Sequence, residues 1–215
     1  NSNTLSMKAA SIIAIGNELL NGFTADTNSQ WLKEKLSNYN LEVIKSIIIP
    51  DKSRIIKKEI ISSFDYDFVF ISGGLGPTHD DITKKAISEA LNLKLNIDKN
   101  HRNKLIERYP NIKKNNVSSD TLDSQCLVID SFDGVYNKTG TALGLTGEIN
   151  KTRFFILPGV PSEFKNMLLH EILPVFLHKN ELPTSYTLKT TGITESELYS
   201  SLEDYIKSHG NKFEF

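Results

Sequence analysis

Short β-branched runs alternate along this chain with longer stretches whose apolar residues recur every three or four positions. Ala9 to Ile15 is too short for a helix and is closed by Gly16, which predicts a buried strand. A helix is expected from Thr27, because Thr27 and Gln30 stand in capping-box spacing, and Trp31, Leu32, Lys35 and Leu36 then give it an apolar and a charged side. Val43 to Ile49 is a second β-branched run, ended by Pro50-Asp51. Ile55, Ile56, Ile60, Ile61 and Phe64 repeat at helical spacing, and Phe68 to Ile71 is a third strand running straight into Gly73-Gly74.

Strand and helix thus alternate repeatedly, the pattern of a parallel sheet whose crossovers cover both faces. From Ile82 a further helix carries Ala86, Ile87, Ala90 and Leu91 on one side, and a shorter one runs from Asn100 to Tyr109 before Pro110. Asn111 to Asp120 has loop-like chemistry. Leu143 to Ile149 and Phe154 to Leu157 flank Asn150-Lys151 and predict a hairpin. A last core helix follows Pro161, with Phe164, Met167, Leu168 and Ile172 inward and Pro174 ending or bending it. Near Pro183 the character changes. Tyr186 to Thr190 alternates like a strand, Thr194 and Glu197 form a capping box for a helix through Ile206, and Gly210 would end it. The expected organisation is a polar N-terminus (1–6), a main α/β domain (7–178) and a strand–helix tail (183–215) that docks on it or opens a second small domain.

Composition narrows the partners. Hydrophobic residues make up 39% and charged residues 24% of the 215, the balance of a soluble globular protein. Twenty-five basic residues against 26 acidic leave a net charge of −1, so nothing calls for nucleic acid or a membrane surface. Cys126 alone builds neither a disulfide framework nor a cysteine metal site. No apolar stretch approaches the roughly 18 residues of a membrane helix, and residues 1–6 lack a signal-peptide core. Met7 is the expected natural start and the cytoplasm the expected compartment.

The densest chemistry lies in Ser72-Gly73-Gly74-Leu75-Gly76-Pro77-Thr78-His79-Asp80-Asp81, between a buried strand and a helix. Ligands of open α/β sheets bind at such strand ends, where glycines allow close backbone approach and helix amides attract phosphate. The spacing matches neither a Walker loop nor a dinucleotide fingerprint. Asp80 and Asp81 beside a phosphate would repel it unless a hard divalent cation lay between them. The plainer alternative is that both acids decorate the positive end of the helix, worth about 0.3–1 kcal/mol each.

Glu18, in Gly16-Asn17-Glu18, would face the same crevice or serve as a solvated loop acid. Lys84 and Lys85 lie one turn into the glycine-loop helix, where either could reach a phosphate or both could form a solvated face. Two more turns point the same way: Thr139 to Gly144 before one strand, and Leu157-Pro158-Gly159-Val160-Pro161-Ser162-Glu163 after another. His79 is the one histidine inside a candidate site, and Cys126 is expected to be buried packing.

Taken in order, Gly16 to Leu20, Thr27-Asn28, Gly73 to Asp81, the Thr139 to Gly144 cluster and Leu157 to Glu163 resemble the N-terminal domain of the competence/damage-inducible CinA family. That family is a branch of the molybdopterin-binding domains also seen in MogA, MoaB and MoeA, and the likeness runs from about Met7 to Leu177. Gly192-Ile193 through Leu198 resembles the start of the small domain that follows in those proteins. The resemblance implies a three-layer α/β/α fold with a mostly parallel sheet and a pocket for a phosphorylated pterin or nucleotide. It implies metal-dependent hydrolysis of the ADP-ribose pyrophosphate, with Mg²⁺, Mn²⁺ or Co²⁺ as the cation and homo-oligomers as an option. Asp80, Asp81 and Glu18 would then hold the ion and Lys84 would offset leaving-group charge. Gly73, Gly74, Gly76, Thr78, Asn28, Gly140, Pro158, Gly159 and Glu163 would bind the ligand. The nicotinamide mononucleotide deamidase domain of the family has no counterpart in these residues, so that activity does not carry over. Two alternatives stay open: a molybdopterin-binding domain of molybdenum cofactor biosynthesis without hydrolysis, and a non-catalytic ligand-binding module. One departure bears on all three: where the family places an Asn and a basic residue, Asp120 to Cys126 has no basic residue.

Overall fold

The computed structural model describes residues 7–39, 41–109, 119–177 and 189–209. The chain divides into two units, Asn1–Leu182 and Pro183–Phe215. In the first, strands β1 (Lys8–Ile15), β2 (Leu41–Ile49) and β3 (Phe68–Ser72) alternate with helices α1 (Asn17–Leu20), α2 (Thr27–Leu36), α3 (Ser53–Ile61) and α4 (Thr83–Leu91). Then come β4 (Leu95–Ile97), α5 (Lys99–Arg108), α6 (Ser119–Gln125), β5 (Leu127–Ile129), β6 (Phe132–Val135), β7 (Gly144–Ile149), β8 (Thr152–Leu157) and α7 (Pro161–Met167). A π-helical turn (Leu168–Ile172) and α8 (Leu173–Phe176) follow. Six strands form one sheet in the order β2-β1-β3-β8-β7-β6, and β4 pairs with β5 in a separate antiparallel ribbon. β1, β2, β3 and β8 run parallel, while β7 is antiparallel to β8 and to β6.

The uninterrupted apolar runs are explained by burial on both sheet faces. Successive side chains in a strand point to opposite sides, and the core divides accordingly. Ile13, Ile15, Val69, Ile71, Phe154 and Ile156 pack in one cluster with Ile56 and Ile60 of α3 and Ile87 of α4. Ala10, Ile12, Phe68, Phe70, Phe155 and Leu157 pack in the other with Leu32 and Leu36 of α2 and Phe164 and Met167 of α7. Phe70 and Phe155 stack with ring centres 5.0 Å apart at the middle of this second layer. Each such fully buried side chain contributes roughly 1.5–3 kcal/mol relative to exposure. The three-layer α/β/α expectation is therefore met.

Local details refine the sequence reading. Helix α2 begins at Thr27 as expected, but its cap is Asp26, whose carboxylate accepts from the Ser29 amide at 3.0 Å. The predicted hairpin is present, and its turn residues Asn150 and Lys151 both take positive φ (50° and 72°), the geometry a two-residue turn needs to follow the strand twist. Pro174 lacks the amide an α-helix would use at that point, and the ladder widens into the π turn just before it. Of the segment expected to be loop, 111–118 lies outside the described residues, and Ser119–Asp120 open α6 instead.

In the second unit α9 (Glu195–His209) carries the predicted capping box: the Glu197 carboxylate accepts from the Thr194 amide at 2.9 Å, and the Glu197 amide donates to Thr194 Oγ1 at 3.3 Å. The expected strand from Tyr186 falls mostly outside the described residues, as does Gly210, and Lys189–Thr190 are not in a strand. Among the described residues no helix is long and apolar enough to cross a membrane.

Candidate functional site

Register brings the site together. Ile15 pairs with Ile49, Ala14 with Ser72, and Ser72 with Leu157, so four parallel strands end nearly level. The backbone ladder then continues past the strands, with Gly16 N–H donating to Ile49 O (3.1 Å) and Gly73 N–H to Leu157 O (3.0 Å). The four connections that follow, with Thr141 and Ala142 from the segment before β7, line an open cleft of about 750 Å³. Gly73 must be glycine: its φ is +107°, and a Cβ there would lie 2.1 Å from the backbone oxygen of Ile15. Gly74, at φ +65°, has the same need, because a Cβ would meet Thr83 Oγ1 at 2.2 Å.

Glu18, Asp80, Asp81, Gly73, Gly74, Gly76, Thr78, Pro158, Gly159 and Glu163, all named from the sequence, line this cleft. Asp81 has a bracing task as well, since one of its oxygens accepts from the Thr78 amide (2.8 Å) and from Thr78 Oγ1 (2.6 Å), closing the loop on itself. Asn28 is buried beside a smaller adjoining pocket, where its amide donates to Gly159 O at 2.8 Å. Gly140 lies beneath Glu163: a Cβ at Gly140 would fall 2.2 Å from that carboxylate. The exposed His79 is not among the cleft-lining residues.

Lys84 is a correction. It is 4% exposed, its ammonium donates to Leu127 O at 2.8 Å, and it does not line the cleft. Burial pushes its pKa down from 10.5 to about 7. The reach to a leaving phosphate expected of it is taken up instead by a tie between α4 and the β4–β5 ribbon. Lys85 is exposed and also absent from the lining.

Two site residues were overlooked in the sequence. Asp51, in the loop after β2, lines the cleft and accepts from the Asn17 amide at 2.9 Å. Burial raises its carboxyl pKa above the usual range, and the charges of Glu18 and Asp80 add to the rise. Its position after a parallel strand is the same signal that singled out Glu18. Asn137, fully buried, organises the 137–142 loop: its oxygen accepts from the amides of Thr139 (3.1 Å) and Gly140 (2.9 Å), and its nitrogen donates to Ala142 O (3.2 Å) and to Glu163 (2.6 Å). Arg108 supports that loop from behind by donating to Asn137 O at 3.1 Å and to Lys138 O. The segment lacking the family's basic residue forms α6, where Asp123 pairs with Arg102 at 2.6 Å and Gln125 O accepts from the Leu143 amide at 3.2 Å.

The cleft is one-sided in charge. Glu18, Asp51, Asp80, Asp81 and Glu163 line it, and no Lys or Arg does among the described residues. Among those residues no three His, Cys, Asp or Glu side chains gather into a ready-made metal cage. The donors on offer are hard carboxylate oxygens, which suit Mg²⁺-like ions held by one or two carboxylates together with substrate phosphates rather than by a protein-only cage.

A mostly parallel sheet between two helical layers, with a glycine-loop crevice at its carboxyl edge, has the form of an α/β domain that takes its ligand at the strand ends. The family described as "Probable molybdopterin binding domain" matches residues 11–178, and the chain belongs to it. The "Putative competence-damage inducible protein" of Bacillus subtilis is 36% identical over 208 residues, covering 95% of this chain and 50% of its own length. That of Streptococcus equi subsp. equi is 33% identical, covering 92% and 47%. The chain thus spans about half the length of the curated relatives it matches. Among solved structures, the protein CinA with unknown function from Thermoplasma acidophilum superposes with a TM-score of 0.70 at 29% identity, covering 76% of this chain and 95% of that one. The molybdopterin biosynthesis enzyme MoaB from Thermus thermophilus has the same fold, with a TM-score of 0.52 at 21% identity, covering 79% and 92%.

Proposed function

We propose that this domain is a divalent-metal-dependent hydrolase of the pyrophosphate in ADP-ribose-type nucleotides. The observation that carries the proposal is the pairing of a glycine loop with a cleft lined, among the described residues, by five carboxylates and no basic side chain. Glycine backbone lets a phosphate approach closely, while unscreened carboxylates repel it, and a bound cation reconciles the two. The nucleotide as substrate comes from the resemblance to the CinA family set out above, and the competence-damage inducible and CinA relatives support that family.

Glu18 and Asp80, together with the substrate phosphates, would hold the ion, and Asp81 would keep the Thr78 loop shaped around the phosphate. When bound, such an ion supplies charge neutralisation and lowers the pKa of a bound water. Asp51 would take a proton through the oxygen not engaged by Asn17, a role its raised pKa suits. Glu163, fixed by Asn137, would orient the substrate. A second reading, molybdopterin binding without hydrolysis, is favoured by the family match over 11–178.

The two separate by AMP release from ADP-ribose in Mg²⁺, Mn²⁺ or Co²⁺ against EDTA, with Asp80→Asn alongside. Metal-dependent release that the variant loses by a hundredfold or more supports the hydrolase. No release from folded protein with any of the three metals moves pterin binding to first place.

A further inference from the structure

The cleft also holds an apolar feature that phosphate and cation leave unexplained. Phe23, in the loop after α1, is 84% exposed and is the only aromatic among the described residues lining the cleft. Its backbone is tethered: the amides of Phe23 and Thr24 both donate to Glu18 O, at 3.1 and 3.3 Å, after Gly22 turns the chain at φ +74°. The ring is therefore presented from a fixed stem on the same short helix that places Glu18. Val160, 51% exposed, adds an apolar side chain from another loop of the same lining. A cleft of about 750 Å³ exceeds what a pyrophosphate and an ion fill and falls in the range of sites for whole organic ligands.

We infer that Phe23 is the stacking platform for the planar nitrogen heterocycle of the ligand, so that the cleft divides into an acidic, glycine-lined phosphate end and an aromatic ring end. The inference rests on the phosphate-site reading above and assigns the part of the ligand that reading leaves open. Stacking tolerates any flat heterocycle, because each presents a π face. Adenine and a pterin share the needed chemistry, and the experiment separates them.

The test titrates the chain, Phe23→Ala and Phe23→Trp by calorimetry in Mg²⁺ with AMP, ADP-ribose, dihydroneopterin triphosphate and, as a ring-free probe, inorganic pyrophosphate. Phe23→Ala is expected to weaken the ring-bearing ligand about tenfold and to leave pyrophosphate unchanged. Phe23→Trp is expected to retain affinity and to show fluorescence quenching by the bound ring. Whichever of the adenine or pterin probes shows the loss names the source of the ring. Equal affinity of Phe23→Ala and the native chain for every ring-bearing probe overturns the inference, as does a parallel loss for pyrophosphate. A change in sedimentation without a change in affinity also overturns it, making Phe23 a contact between copies. ADP-ribose that binds with the Phe23 dependence but is not cleaved in Mg²⁺, Mn²⁺ or Co²⁺ overturns the hydrolase reading and sustains this one. Native protein that binds no ring-bearing probe overturns this one directly.

Discussion

Replacing Lys84 with methionine should flatten the pH dependence of stability on the alkaline side of neutrality. Lys84 is 4% exposed, and its pKa falls from 10.5 to about 7 because burial disfavours the ammonium. Between those values the unfolded chain holds a proton that the folded chain has released. Folding stability therefore rises with pH through this window, is fully present above 10.5, and is lost as pH falls through about 7. The slope reaches about 1.4 kcal/mol per pH unit, and the integrated gain between pH 7 and 9 is about 2 kcal/mol. Two neighbours titrate in the native chain and the variant alike, so they drop out of the difference between the two. Burial lowers the pKa of His101 from 6.5, and burial lifts that of Cys126 from 9.0 to about 11. Lys84→Met keeps the unbranched stem and removes the titrating group. Urea unfolding at pH 7, 8 and 9, extrapolated linearly to water, reads the native-minus-variant difference at each pH. A difference that grows by about 2 kcal/mol from pH 7 to 9 is the expected result. A flat difference would refute the claim that the buried ammonium is destabilised in the fold.

Two further substitutions test the loops. Gly73→Ala forces a side chain into φ +107° and against Ile15 O at 2.1 Å, which should cost about 3 kcal/mol or more and lower Tm on the order of 10 °C. Gly22→Ala, at φ +74° with nothing within 4 Å, is the control and should cost only about 1–2 kcal/mol; equal losses would show that the Ile15 contact is not what demands Gly73. Asn137→Ala strands the Thr139 and Gly140 amides and frees Glu163, so thermal melting should show a loss of about 2–4 kcal/mol. Native turnover in that variant would remove Glu163 positioning from the mechanism.

The sheet was legible because both faces are buried, so β1, β3 and β8 read as continuous apolar runs and each turned out to feed two separate cores. The β4–β5 ribbon and β6 were not legible. Leu95–Ile97 and Leu127–Ile129 are three residues each, too short to show a period, and Phe132–Val135 contains Asp133 and Gly134. The Asp26 cap was missed because the adjacent Thr27 offered an equally good capping residue one position later.

Lys84 was misread for a different reason, since the helical period already held the answer. Lys84, Ile87, Ser88 and Leu91 stand at i, i+3, i+4 and i+7 on α4, which places the lysine on the stripe that faces inward, while Lys85 is turned to solvent. Adjacency in sequence suggested a pair, but neighbours on a helix are about 100° apart and share no face.

The site posed the opposite difficulty. Its carboxylates come from separate connections, Glu18 from α1 after β1, Asp51 after β2, Asp80 and Asp81 after β3 and Glu163 from α7 after β8, and no local motif contains more than two of them. The rule that ligands gather at the carboxyl ends of parallel strands identifies which loops converge, and level strand ends then decide which side chains share a cleft. What emerges only from that convergence is the sign of the charge: the glycine loop stands in an anionic surround, so on the proposed reading a phosphorylated ligand would bring or share a cation.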